Sequence, residues 1–318
     1  VPRAASRYNK AMTTFHDDRE LIAEINALQR ARNAIILAHN YQRAEVQDIA
    51  DFVGDSLELS IKASRLPDVD VVVFCSVHFM AETAKLLSPE KLVLIPDPKA
   101  GCPMADMITP EGLRALKAQH PGVPVVCYVN TSAAVKAECD IACTSANAVK
   151  IVNSLPADEV LFVPDRNLGA WVQRHTAKRL IMWQGFCPTH NRVVAEQLLK
   201  AKQKYPHAQV MVHPECAPEI IDLADHVLST GGMVRMAKEH PATAFIMVTE
   251  EGMAHRLEKD NPGKTFFHLV PELRCPNMKK TTLEKVRESL RRLVHPVEVP
   301  AEIAAPARRT IERMLEIS

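Results

Sequence analysis

The stretch VVVFCSVHFMAETAKLLSPEKLVLIPDPKAGCP, residues 71–103, reads as an apolar strand, a helix-like segment, a second strand and a loop closed by Cys102-Pro103. The same phrase returns at 159–188 as EVLFVPDRNLGAWVQRHTAKRLIMWQGFCP, and at 244–276 as AFIMVTEEGMAHRLEKDNPGKTFFHLVPELRCP. Each copy ends on a Cys-Pro dipeptide, so Cys102, Cys187 and Cys275 recur at steps of 85 and 88 residues. With 8 Cys and 22 Pro in 318 residues, random order would give roughly half of one such pair.

The upstream halves repeat as well. The first strand of each unit ends in Ala38-His39-Asn40-Tyr41, Tyr128-Val129-Asn130 or His213-Pro214-Glu215, which sets polar side chains two apart on one face. Fifteen residues beyond Tyr41, Asn130 and Glu215 stand Ser56, Ser145 and Thr230. An equal offset met three times points to duplication. The expected organisation is three repeats, 31–107, 108–192 and 193–278, between helical segments at 1–30 and 279–318. The opening VPRAAS carries no weight in this reading.

The strand-like runs IIL, VVVF, LIPD, EVLFV and AFIMV are apolar on both faces, the mark of parallel sheets covered by helices on each side. In the first unit, strands are expected near 34–38, 51–54, 71–75 and 91–95, with Val46, Ile49, Ala50 and Val53 at helical spacing between the first two. The fold class is therefore α/β: three pseudo-symmetric three-layer αβα domains with short parallel sheets around a central metal site. The segment 281–293 opens on a Thr-x-x-Glu capping box and carries Leu283, Val286, Leu290 and Leu293 on one face. With 308–317 it is expected to pack on a neighbouring domain, and Arg291 and Arg292 read as its solvated face.

A formal charge of +1 and 5% aromatics give no electrostatic footprint for nucleic acid. No apolar run reaches the roughly 20 residues of a membrane helix, and no signal-peptide pattern opens the chain. Eight cysteines in that setting predict a reducing cytoplasm and not a disulfide framework. Cys75, Cys127, Cys139 and Cys143 read as small buried side chains. Cys216 has no counterpart in the other repeats and stays outside the ligand set.

Ligands bind beyond the carboxyl ends of the strands in open parallel sheets. The candidates stand there: His39 and Tyr41, Tyr128 and Asn130, His213 and Glu215, and the three Cys-Pro loops. Ser56, Ser145 and Ser229-Thr230 follow a second strand and precede a helix, where a hydroxyl can cap the helix and its amides can hold an anion. Gly231-Gly232 allows close backbone approach to a ligand. Three equivalent loops send one thiol each toward a common point. Zinc usually takes a fourth protein ligand or a water, and soft thiolates also suit iron–sulfur chemistry. A [4Fe–4S] cluster on three thiolates leaves one iron open to bind substrate oxygens as a Lewis acid, which suits loss of water from a hydroxy or carbonyl compound. The chain has no CxxxCxxC run, which argues against radical chemistry based on S-adenosylmethionine.

Several motifs then carry a resemblance: AHNYQ with GDS, YVNTSAAVKAECDIACTSANAVKIV, VPDRNLG, WQGFCPTH, VHPEC, LSTGGM and CPNMK. Together, from about residue 30 to 290, they resemble the quinolinate synthase family, the A-protein of NAD biosynthesis. The resemblance implies a triangle of three αβα domains around one [4Fe–4S] cluster per chain. It also implies condensation of iminoaspartate with dihydroxyacetone phosphate to quinolinate, releasing phosphate and water, and a functional link to L-aspartate oxidase. Carried over, the cluster ligands fall on Cys102, Cys187 and Cys275. Some relatives have further cysteines in a CxxCxxC run at the last position; here the run is CPNMKK, which leaves Cys275. The family's active-site positions fall on His39, Tyr41, Ser56, Tyr128, Asn130, Ser145, His213, Glu215, Ser229 and Thr230.

The roles expected are Glu215 as general base, its pKa raised toward neutrality by partial burial, and His39 and Tyr41 as proton shuttles, with His213 also in the catalytic set. Tyr128 and Asn130 orient substrate, and Ser145, Ser229 and Thr230 cradle phosphate and carboxylate. His78 and His268 receive no role. A hydro-lyase acting on another hydroxy diacid, or a non-catalytic iron–sulfur sensor, are the alternative readings.

Overall fold

The apolar runs form twelve strands among the described residues: β1 (Ala34–His39), β2 (Phe52–Gly54), β3 (Val71–Cys75), β4 (Leu92–Leu94), β5 (Val125–Tyr128), β6 (Ile141–Cys143), β7 (Glu159–Val163), β8 (Arg179–Met182), β9 (Gln209–Val212), β10 (His226–Val227), β11 (Ala244–Val248) and β12 (Thr265–His268). This computed structural model describes the backbone of residues 4–66, 68–269 and 273–318, with side chains from residue 18 onward. The opening Val1-Pro2-Arg3 and the Val270-Pro271-Glu272 of the third phrase lie outside the described residues.

The strands make three four-stranded sheets, ordered β2-β1-β3-β4, β6-β5-β7-β8 and β10-β9-β11-β12. Every pairing is parallel. The α/β expectation of three sheets covered by helices holds. In each sheet the chain runs outward from the first strand to the second, then crosses back to the third. That reversal opens a crevice at the carboxyl ends of β1, β5 and β9, beside β3, β7 and β11.

One side-chain device recurs in all three units. Asp51, Asp140 and Asp225 each accept, through Oδ2, the amide of a first-strand residue fifteen positions earlier: Ile36 at 2.7 Å, Val125 at 2.7 Å and Val210 at 2.8 Å. Each aspartate's own amide returns a bond to that residue's carbonyl. The clip fixes the start of the edge strand on the central one. Replacing Asp140 by Ala leaves a partly buried amide unpaired, so about 1–3 kcal/mol should be lost in urea unfolding. The Asp51→Ala and Asp225→Ala proteins should lose similar amounts, and an unchanged midpoint would dismiss the clip.

Two local expectations are corrected. The first-unit helix is short, Ala44–Asp48, and Val53 belongs to β2, because the chain must straighten to pair with Ala38. The helix Leu283–Arg292 is capped by Thr282, whose side chain accepts from the Lys285 amide, so the Thr281–Glu284 capping box does not form. Leu293 ends that helix at φ 52° in the left-handed region.

Leu283, Val286 and Leu290 pack with Ile25 of the helix Ala4–Ala31 against Ile36 and Val73. The helix Ala301–Ile317 lies on the helices Ala133–Ala137 and His78–Leu87 and on β6. Arg291 and Arg292 are exposed and paired with Glu288, a solvated face as expected. Cys75, Cys127, Cys143 and Cys216 are buried, whereas Cys139 is half-buried with its thiol on the Val135 carbonyl. Among the described residues no helix is long and apolar enough to cross a membrane.

Candidate active site

The three cysteine loops hang from the sheets in the same way. The amides of His78, Arg166 and Glu251, just past β3, β7 and β11, donate to the carbonyls of Ala100, Gly185 and Leu273 at 2.8, 2.9 and 2.8 Å. Each acceptor lies two residues before its cysteine. The cysteine carbonyls then accept from the amides of Asp106, Asn191 and Lys279, four residues on. This turn aims backbone amides at sulfur: Ala105 and Met104 at Cys102, His190 at Cys187, Met278 and Asn277 at Cys275. Burial nonetheless pushes the Cys102 thiol up to about 12 and raises those of Cys187 and Cys275. Loading these sulfurs with a soft cation must therefore displace their protons.

All three thiols line one cavity of about 140 Å³. His39, Tyr41, Ser56, Tyr128, Asn130, Ser145, His213, Glu215 and Thr230 line it too. Ser229 does not. Its hydroxyl accepts the Gly232 amide as the cap of the helix Thr230–Glu239 and donates to Asp55 Oδ2 at 3.2 Å.

Asp55 also corrects the expected caps and the anion cradle. Its Oδ1 caps the helix Ser56–Ser64 through the amides of Leu57 and Glu58, and its Oδ2 accepts the Gly231 amide at 3.3 Å. One carboxylate thus occupies two helix starts. A Cβ on Gly231 would lie 2.5 Å from Asp55 Oδ2, so the glycine makes room for that side chain. In the middle unit Ser145 precedes the helix Ala148–Ser154 without capping it.

His39 and His213 are buried, and burial holds both neutral, with pKa about 3. Each accepts at Nδ1 an amide two residues on, from Tyr41 at 3.1 Å and Glu215 at 3.4 Å, which places the ring proton on Nε2. Burial alone would raise the Glu215 pKa. The facing imidazoles of His213 and His190 and the hydrogen bonds from His190 and Tyr128 outweigh it and hold the group below the usual carboxylate range. The expected upward shift is thus reversed. Tyr128 donates to Glu215 Oε1 at 2.7 Å, and Asn130 Nδ2 reaches the same oxygen at 3.5 Å. Burial raises both Tyr41 and Tyr128, so both hydroxyls keep their protons.

The repeat comparison passes over His190, yet this residue sits at the centre of these contacts. Its Nδ1 is 2.7 Å from Glu215 Oε2 and 3.3 Å from Cys187 Sγ, and its Nε2 is 3.1 Å from Thr249 Oγ1. Thr249 meets the Tyr41 hydroxyl at 2.6 Å. A hydrogen-bonded chain therefore runs from Tyr41 through Thr249 and His190 to Glu215. Cys187, His190 and Glu215 also offer ligand atoms within 4.8 Å of one another, a group able to hold a metal ion.

The chain matches the family described as Quinolinate synthetase A protein over residues 23–316. It is 55% identical over 298 residues to a quinolinate synthase of Geotalea uraniireducens, spanning 94% of this chain and 98% of that one. It is 57% identical over 300 residues to one from Dehalococcoides mccartyi (94% and 99% covered). A relative from Methanosarcina acetivorans, Quinolinate synthase 1, is 53% identical over 298 residues (94% and 98%). The chain belongs to the quinolinate synthetase A family.

It is accordingly an enzyme. In this quinolinate synthetase A member, His190 and Thr249 escape the repeat comparison because neither position repeats. The residue three beyond the cysteine is Ala105, His190 or Met278, and the residue after the third strand is Ser76, Pro164 or Thr249. The usable signal is the strand-end rule itself, which applies to β11 as it does to β9.

Proposed function

We propose that the enzyme condenses iminoaspartate with dihydroxyacetone phosphate to quinolinate, with release of phosphate and water, in de novo NAD biosynthesis in the cytoplasm. The observation that carries this reading is the convergence of three equivalently hung thiols, Cys102, Cys187 and Cys275, on the cavity that holds Glu215. The three thiols, with backbone amides aimed at sulfur, fit one [4Fe–4S] cluster per chain. When bound, such a cluster supplies an open iron as a Lewis acid toward substrate oxygens.

The protein's own groups do the rest. Neutral His39 and His213 offer Nε2–H donors to carboxylate or carbonyl oxygens without adding charge. Asn130 Oδ1, buried and without a partner among the described residues, is an acceptor for an imine or amine N–H. Ser56, Ser145 and Thr230 present hydroxyls to phosphate and carboxylate, while Ser229 supports Thr230 as the helix cap. Glu215 stays ionised as the proton acceptor, and His190 Nδ1 and Tyr128 hold its two oxygens in place. Glu215 takes the substrate proton, while the Tyr41 hydroxyl, held by Thr249 and protonated, stands ready to donate toward a departing oxygen. Iminoaspartate is a hydrolysable imine, which favours supply by an aspartate-oxidising enzyme such as L-aspartate oxidase. The boundaries 31–107, 108–192 and 193–278 serve as the proposed domains, each giving one thiol.

A second reading rests on Cys187, His190 and Glu215 as a single-ion site. An anaerobic spectrum with iron and sulfide counts separates the two. Stoichiometric zinc in a colourless protein would remove the cluster. Glu215→Gln should keep the iron and sulfide yet lose quinolinate formation by at least about a hundredfold. Normal turnover in that variant would end the base role.

A further inference from the structure

The third cysteine loop carries something that the other two lack. Lys279 and Glu250 form an ion pair of 3.0 Å, with side chains 6% and 0% exposed. Glu250 Oε1 accepts the amide of Cys275 at 2.9 Å, and its Oε2 accepts the Gly252 amide at 2.7 Å. Lys279 Nζ in turn donates to the Tyr41 carbonyl at 2.7 Å. Among the described residues no such pair stands at the equivalent places, Val77 with Asp106 and Asp165 with Asn191.

The loop that receives Lys279 is held throughout. Gln47 Nε2 donates to the carbonyls of Asn40 and Gln42 at 3.1 and 3.0 Å, so with Lys279 three consecutive carbonyls around Tyr41 are taken by buried nitrogens. The Tyr41 hydroxyl rests on Thr249, the residue before Glu250. A Cβ on Gly252 would lie 2.7 Å from Lys279 Nζ and from the Tyr41 and Gln42 carbonyl oxygens, so the junction has no slack. Tyr41 is therefore tied at its backbone and at its hydroxyl to the strand end that anchors Cys275.

We infer that the Lys279–Glu250 pair is a positioning device that makes the placement of Tyr41 depend on the Cys275 loop. This rests on the reading of Cys275 as a ligand and Tyr41 as a substrate-site residue. Binding at Cys275 sets its amide, the amide sets Glu250, and Lys279 passes that position to Tyr41. Glu250 borders the cavity with its carboxylate taken by Lys279 and two amides, and Lys279 stands outside it, so neither is given a contact with the reacting atoms in this scheme. They act through their neighbours.

The test uses the full-length chain as Lys279→Met, Lys279→Arg and Glu250→Gln. In metal-free protein, alkylation of Cys275 by iodoacetamide, followed by mass spectrometry, should quicken at least about fivefold in Lys279→Met as the loop loosens, with Cys102 unchanged. In anaerobically reconstituted protein the same variant should release iron to EDTA faster. Its kcat should fall about tenfold or more, with a smaller change in KM, as Tyr41 drifts. Lys279→Arg should return all three readings to within about threefold of the parent. Equal alkylation rates in parent and Lys279→Met, or an Arg variant as impaired as the Met variant, would overturn the inference. Should Lys279→Met not fold, Glu250→Gln carries the same expectations, and alkylation of that variant at the parent rate would overturn the inference equally. Parent protein that binds no iron or sulfide would sink the cluster reading, while the alkylation comparison would still decide this one.

Discussion

The Cys187→Ser protein is expected to fold, to hold no iron–sulfur cluster and to make no measurable quinolinate. The argument is chemical. A serine oxygen is a harder donor than a thiolate, and a buried alkoxide is far costlier to form than the thiolate it replaces. Loss of a group that merely orients a metal ligand typically costs about 10–100-fold in affinity or activity, so loss of one of three ligands should exceed that. Cys102→Ser and Cys275→Ser should behave alike, because the three loops hang from equivalent hydrogen bonds. Cys143→Ser is the control. That side chain is buried at the end of β6, outside the cavity, and the exchange should keep the cluster at a cost of about 1–3 kcal/mol of stability for a buried hydroxyl. Iron and sulfide counts with a quinolinate assay settle both. An active Cys187→Ser enzyme would refute the ligand set.

Acid should destabilise the metal-free protein through His39 and His213. Both are held neutral in the fold with pKa about 3, against 6.5 when unfolded. Between those values the unfolded chain binds protons that the native state does not, so stability falls as the pH drops below 6.5. By pH 5 each histidine should have removed about 2 kcal/mol, about 4 kcal/mol for the pair. Asp165 opposes this. Burial and the charge of Glu215 raise its pKa, so its cost to the fold shrinks as the pH drops. The histidine share is isolated by comparing urea unfolding of the parent and His213→Gln at pH 7 and pH 5. The variant should lose about 2 kcal/mol less than the parent over that interval. Identical slopes would mean that His213 is not held neutral by the fold.

The strands and their repetition are legible in the chain because they rest on local signals. Apolar runs set β1, β3, β7 and β11 almost to the residue, and the Cys-Pro loops mark the period. The strand-end rule then gathers every candidate but Ser229 into one cavity. What escapes depends on contacts between units. His190 acquires its meaning from Glu215 and Thr249, and Lys279 from Tyr41, a residue 238 positions away. The ionisation of Glu215 is hidden for the same reason. Burial within its own unit argues for a raised pKa, and although His213 opposes it from the same unit, His190 and Tyr128 join from another. Gly231 reads as room for a ligand, but the space belongs to Asp55.

A cavity with threefold symmetry would be degenerate, unable to tell one end of a substrate from the other. Beside the Glu215–His190 contact and the Lys279–Glu250 pair, Asp55 helps to lift that degeneracy. Its single carboxylate neutralises the helix starts at Ser56 and Thr230 and leaves the turn at Ser145 without a counterpart. The pocket thereby acquires a polarity, because one carboxylate caps two of the helix starts that border it. A ligand entering that pocket does not meet three equal corners.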